Sequence, residues 1–233
     1  MMRQLVAVYE NSTTTPRYGY IQDLHDGCGY TAGWVGFCTA TGDLLQVVDR
    51  YDALAAINPL RKYRPELKRL ATSGSARVDR LPGFPRAWRQ AVRDGRFRRA
   101  QNEVAERLYL QPAIGLAQRA GLRSALAVAI FFETAVQHGT GPDPDGLPAL
   151  IARTQLIAGG RPGADLSEAS WLSSFNHVRL EDLLHPHNRD RLADWPASAD
   201  RARSDQRLVD GGDFDLSGRI PVRVFGGSFT LGR

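Results

Sequence analysis

The sequence predicts an α+β protein, mainly α-helical, with one small antiparallel sheet near its N-terminus. Three observations carry this expectation. Gly27, Gly29, Gly33 and Gly36 interleave with Tyr30, Trp34, Val35 and Phe37, a pattern of short strands joined by tight turns. From Thr41 onward, apolar residues recur at helical spacing in segments bounded by Gly and Pro. No apolar run approaches the roughly 18 residues of a membrane span, so no membrane partner is expected.

Taken in order, residues 3–11 read as the end of a short helix, with Leu5, Val6, Val8 and Tyr9 leading into Glu10. Tyr18 to Leu24 resembles an extended piece entering the sheet, which is the only convincing β region. Thr41-Gly42-Asp43 can cap a helix carrying Leu44, Leu45, Val47 and Val48, because an acid near a helix N-terminus meets free backbone N–H groups. Pro59 and Pro65 break the helical stretch 53–70, and 73–85 is a loop. Trp88 to Tyr109 has helical spacing, and another helix runs from Gln111 to about Ala120. Leu122 to Val136 is apolar nearly all round, the mark of a central buried helix. Glu133 lies inside it. An unpaired buried carboxylate is expensive, so Glu133 needs an arginine partner or a proton. Helices over 147–157 and 167–184 follow, then a polar, Arg-rich passage through 201–207. The tail is rich in turns, with a last short strand at 222–225. With no repeats and no long linker, the chain reads as one domain over 1–233.

The hydrophobic share of 42% and charged share of 24% are those of an ordinary globular chain. Net charge is +5 with a pI near 9.5, almost wholly from arginine, since Lys62 and Lys68 are the only lysines. The arginines are spread along the chain and interleaved with acids, so no nucleic-acid partner is expected. Cys28 and Cys38 are too few for a disulfide scaffold. They fit a bridge across a hairpin or two reduced, buried thiols, which leaves the compartment open. Leu5 to Val8 is too short for a signal-peptide core. The chain is therefore intracellular, or it begins after an export signal.

Among candidate chemical groups, the five histidines form no metal-ligand set, and no metal or cofactor is expected. The Gly-x-Gly after Asp26 lacks the third glycine and the following helix of a nucleotide site. Glu10 and Asp26 are the pair of interest. A glutamate ending an apolar run and an aspartate in a Gly-flanked turn occupy different environments, as carboxyl acid/base pairs require. On spacing alone a surface glutamate and a turn-capping aspartate are the better fit. His138, beside a glycine loop, suits a capping or core role.

A longer pattern narrows the choice. Glu10-Asn11-Ser12 is followed by Tyr20-Ile21, Asp23, Asp26-Gly27, Gly29-Tyr30-Thr31-Ala32-Gly33, Gly36-Phe37-Cys38 and Thr41-Gly42-Asp43. Further along come Lys62-Tyr63, Pro65, Leu67-Lys68, Trp88, Ala100-Gln101-Asn102, Gly121 to Ala125, Asp143-Pro144, Phe175, Arg179 and Asp205-Gln206-Arg207. In order, over nearly the whole chain, this resembles the bacterial chitosanases of glycoside hydrolase family 46.

The resemblance implies a lysozyme-like fold of two lobes flanking a substrate cleft, with a small β-containing lobe at roughly 12–50 and a larger helical one. It implies a secreted, monomeric enzyme cleaving β-1,4 links between glucosamine units of chitosan with inversion. Glu10 would be the general acid and Asp26 the general base, with Thr31 holding the attacking water. Ser12, Tyr20, Asp43 and His138 would contact substrate, with Asp43 suited to an ammonium group. Glu133, Arg179 and Arg201 would form a charge network beneath the base. Three departures stand out: Cys28 occupies an arginine position, His25 a glycine position, and two residues are missing between Glu10 and Tyr20. The alternatives are another amino-sugar polymer such as peptidoglycan, or polysaccharide binding without hydrolysis.

Overall fold

Apolar periodicity and Gly/Pro punctuation divide the described residues into ten α-helices and two small sheets. The structure, a computed structural model, describes residues 1–232. Its chain separates into two units. One comprises Met1–Thr14 and the chain from Tyr109 onward, and the other is Thr15–Leu108. The β-containing unit thus extends well past the 12–50 expected, because several helices build its core.

In the Thr15–Leu108 unit, β1 (Ile21–Asp23), β2 (Tyr30–Ala32) and β3 (Phe37–Cys38) form an antiparallel sheet in the order β1-β2-β3. Thr31 pairs with Gln22 on one side and Cys38 on the other. Helices α2 (Asp43–Leu54), α3 (Arg64–Ser73), α4 (Phe84–Ala91) and α5 (Gly95–Ala105) complete the unit. Its core is aromatic: Trp88 meets Phe97 edge-on at 4.8 Å, and Tyr51 lies 5.0 Å from Phe97. Pro65 does not break a helix here. It sits in the first turn of α3, where its missing N–H has no helical partner to lose. The single helix expected over 88–109 is two, because Asp94 caps a new start by accepting from Arg96 N–H at 2.9 Å.

In the other unit, α1 (Met2–Asn11) buries five consecutive residues, Leu5 to Tyr9. Helices α6 (Gln111–Ala120), α7 (Ala125–His138), α8 (Leu147–Ala158), α9 (Glu168–Leu184) and α10 (Asp200–Gly211) surround its core. Ser124 caps α7 by accepting from Ala127 N–H, and Glu168 caps it a second time by accepting from Ser124 N–H. Phe131, Trp171 and Phe175 stack along the α7–α9 seam. The Arg-rich passage is helical: α10 buries Ala202, Asp205, Leu208 and Val209 on one face. The last strand has a partner. β4 (Ile220–Val224) and β5 (Gly227–Leu231) form a hairpin through Phe225-Gly226, both at positive φ, as a tight two-residue turn requires.

Candidate active site

Glu10 occupies the last turn of α1, and the helix stops two residues later because Ser12 adopts a left-handed φ of 51°. The buried row preceding Glu10 fixes its backbone, and Arg201 fixes its side chain. Arg201 Nη1, from the first turn of α10, donates to Glu10 Oε1 at 2.5 Å. The Glu10 side chain is 19% exposed and that of Arg201 12%. Ser12 is exposed at the helix end.

Behind this pair lies a charge network centred on Arg179, whose side chain is wholly buried. All five of its N–H groups find acceptors. Nη1 and Nη2 grip Glu133 through both carboxylate oxygens, and Nη1 also donates to Asp205 Oδ2 at 2.8 Å. Nη2 reaches Gln137 Oε1 at 2.6 Å, and Nε reaches His138 Nε2 at 3.3 Å. Tyr9 completes the set by donating to Asp205 Oδ1 at 2.7 Å. Burial lowers the Arg179 pKa to about 10 against the opposing field of Asp205, so the guanidinium stays charged at neutral pH. Burial pushes Asp205 up to about 6, with Arg179 and Tyr9 opposing. Arg201, expected in this network, is hydrogen-bonded to Glu10, and its field acts on Arg179 and Asp205. Asp205, Tyr9 and Gln137 are network members that the residue-level reading did not find; Asp205 had appeared only within the family pattern.

His138 is not positioned to meet a ligand. It is 4% exposed, and both ring nitrogens are engaged inside the protein. Nδ1 lies 2.9 Å from the Asp145 carbonyl, so it carries the proton, and Nε2 accepts from Arg179. Burial drives its pKa down to about 4, which matches this neutral tautomer. Nearby, ligand-type atoms of Asp145, Asp182 and His187 lie within 4.8 Å of one another. Guanidinium groups already neutralise them: Arg153 bonds Asp182, and Arg191 Nη1 donates to Asp145 Oδ2 at 2.6 Å. The cluster is an ion-pair node.

In the other unit, Asp26 lies on the exposed loop between β1 and β2. Its Oδ1 accepts from Cys28 N–H at 3.0 Å, a local Asx turn. Gly29 closes the loop with φ 72°, and a Cβ there would collide with Thr39 Oγ1 and approach Ala76 O to 3.0 Å. Cys28 and Cys38 are disulfide-bonded, which resolves the two open readings of this pair. Thr31, on β2, has a shielded hydroxyl with no hydrogen-bond partner among the described residues. Tyr20 accepts from Gly33 N–H through its carbonyl at 2.8 Å and donates through its hydroxyl to Gln22 at 3.4 Å. Asp43 is only 9% exposed, and its Oδ1 accepts from Cys38 N–H, Thr41 Oγ1 and Leu44 N–H. It is therefore a latch for the β3–α2 corner, with its Oδ1 committed within the protein.

Comparison with known proteins is consistent across three kinds of match. The profile of glycosyl hydrolase family 46 matches residues 4–220. A chitosanase of Bacillus subtilis (strain 168) is 44% identical over 220 residues, which is 94% of this chain and 79% of the relative. The crystal structure of native chitosanase from Bacillus subtilis MY002 superposes with a TM-score of 0.94 at 43% identity, covering 99% of this chain and 96% of that one. The Gynuella sunshinyii chitosanase, solved in complex with chitotetraose, gives a TM-score of 0.93 at 37% identity, covering 100% and 96%. The mainly helical α+β fold expected from the sequence is the fold of these proteins.

Proposed function

Because the chain belongs to glycosyl hydrolase family 46, we propose that it is an endo-acting, inverting chitosanase that cleaves β-1,4 links between glucosamine units. Glu10 gives its proton to the glycosidic oxygen as the bond from that oxygen to C1 breaks. Asp26 takes a proton from a water whose oxygen bonds to C1 from the opposite face, and the Thr31 hydroxyl holds that water. Single displacement of this kind needs the two carboxyl groups about 6.5–9.5 Å apart, with room for the water between them. Ser12 and Tyr20 contact the sugar, while Asp43 acts indirectly through the corner it latches. The ligand class is supported by the chitotetraose complex of the Gynuella sunshinyii relative.

The observation that carries the acid assignment is the accessibility of Glu10 among the carboxyl groups of this charge network. Of the carboxyl groups of Glu10, Glu133 and Asp205, only that of Glu10 can reach a substrate, because its side chain is 19% exposed while those of Glu133 and Asp205 are at 1% and 0%. Arg201 occupies Oε1, which leaves Oε2 for the leaving oxygen. The protein acts as a secreted monomer in this reading, and the Cys28–Cys38 disulfide suits an oxidising compartment.

NMR of fresh hydrolysate from glucosamine oligomers tests the proposal. The first product should carry the α-anomer at its new reducing end, and Glu10→Gln should abolish reducing-sugar release. A β-anomer would exclude inversion. Turnover of peptidoglycan with none of chitosan would move the activity to the other amino-sugar polymer.

A further inference from the structure

The Cys28–Cys38 disulfide lies where three parts of the proposed site converge within one unit. Among the described residues, the Asp26 carboxylate accepts one hydrogen bond, from Cys28 N–H at 3.0 Å, so its orientation depends on where Cys28 sits. Leu24 to Gly27 are all exposed, and the other bonds of the tip stay within the loop, from His25 to Asp23 through the N–H at 3.0 Å and the ring Nδ1 at 3.2 Å. Among the described residues, then, none of these bonds ties the tip to the sheet. Gly27 and Gly29, at φ 87° and 72°, flank Cys28 and give the backbone on either side unusual freedom. What restrains Cys28 is the opposite strand. Its carbonyl accepts from Thr39 Oγ1 at 2.8 Å and from Ala40 N–H at 3.1 Å, and its sulfur is bonded to Cys38.

Cys38 in turn touches the other two parts. It is the cross-strand partner of Thr31, and its N–H donates to Asp43 Oδ1 at 2.7 Å. One covalent bond therefore joins the residue that orients Asp26 to the residue paired with Thr31.

We propose that the Cys28–Cys38 disulfide is a positioning device for the reaction, holding Asp26 in register with the Thr31 hydroxyl. This rests on the assignment of Asp26 as base and Thr31 as water holder. The two backbone contacts of Cys28 keep the loop folded when the disulfide is opened, but the swivel permitted by the flanking glycines returns. Misplacing a reacting group by an ångström can slow a reaction by about 100-fold. A base whose support has loosened therefore loses turnover, while substrate affinity, which does not depend on Asp26, is kept.

The test compares Cys28→Ser, Cys38→Ser, the double variant, and the native enzyme reduced by a dithiol. The dithiol delivers two electrons and two protons to the S–S bond and leaves as a cyclic disulfide. Turnover of glucosamine oligomers should fall about 10- to 100-fold in all four forms, with KM within about twofold of the native value. Circular dichroism identifies any variant that fails to fold, in which case the reduced native enzyme is read instead. In an Asp26→Asn background, the same cysteine changes should leave the residual rate within about twofold, since there is no base left to misplace. Unchanged turnover in the reduced and serine forms would overturn the inference. So would an equal further loss in the Asp26→Asn background, which would mark a merely structural disulfide. Retained turnover in Asp26→Asn alone is the distinct signature of a wrong base assignment.

Discussion

The two carboxylates of the proposed reaction are held in opposite ways. Glu10 ends a helix with five successive buried residues, and its partner Arg201 stands beside a wholly buried guanidinium whose every donor is used. Asp26 rides an exposed loop, with one hydrogen bond from a residue that a disulfide restrains. A buried ion network is a commitment of the whole unit, because removing one member strands the charge of another. A turn secured by local bonds is set by its own few residues, and its geometry can fail while the fold survives. Loss of function on the two sides should therefore look different: unfolding on one, a properly folded but slow enzyme on the other.

The largest expected effect is on the network. Arg179→Ala leaves Glu133 and Asp205 buried without the guanidinium that pairs them, and breaking a buried pair this way typically costs about 3–5 kcal/mol. Urea denaturation of the variant should show most of that loss, with turnover falling as the folded fraction falls. A loss below about 1 kcal/mol would mean that water can replace the guanidinium, and the comparison between the two sides would collapse.

The next effect sharpens the comparison through pH. His138 has its folded pKa lowered from 6.5 to about 4, first by burial and then by the fields of Arg201 and Arg191. Its Nε2 must stay unprotonated to accept from Arg179. Between these two values the unfolded chain binds the proton and the folded protein does not, so stability is lost as pH falls from about 6.5 to about 4. Asp182, raised by burial to about 6, has the opposite sign in the same window, so the wild-type curve alone cannot isolate His138. His138→Asn can still donate to the Asp145 carbonyl but no longer titrates. The stability difference between wild type and variant should shrink by on the order of 2–3 kcal/mol between pH 7 and pH 4. A pH-independent difference would show that His138 does not titrate as a buried neutral group.

The same contrast explains what the sequence showed. Glycine spacing announced the sheet and the Asp26 turn, because a turn's chemistry is written in adjacent residues. The apolar run of α7 announced a buried helix and required a partner for Glu133. Helix α10 was not legible as a helix, because two of its buried positions, Ser204 and Asp205, are polar and weaken the apolar period. Their burial is understandable only once Tyr9 and Arg179, remote in sequence, are seen to satisfy Asp205. His138 looked like a ligand contact by family position, but its burial depends on Trp195, whose ring centre lies 4.7 Å away. The break between α4 and α5 had a local signal in Asp94-Gly95, which the helical spacing around it masked. The partner of β4 was missed because Gly226-Gly227, at the start of β5, reads as a turn.

The smallest expected stability change is at the base itself, and it is the most exacting for the comparison. In Asp26→Asn the amide oxygen can still accept from Cys28 N–H, so the Asx turn keeps its bond. The position is exposed, so no charge is stranded and no cavity opens; surface changes of this kind usually stay within about 0.5 kcal/mol. The general base is nevertheless gone, and turnover should fall by about 100- to 10,000-fold. Glu10→Gln should lose turnover similarly but also cost some folding stability, because its amide oxygen can still accept from Arg201 yet no longer offsets the charge of that largely shielded guanidinium. Thermal melts of the two variants side by side provide the check. If Asp26→Asn melts several degrees below wild type and Glu10→Gln does not, then the loop is the structural commitment, the network is the local arrangement, and the contrast drawn between them is reversed.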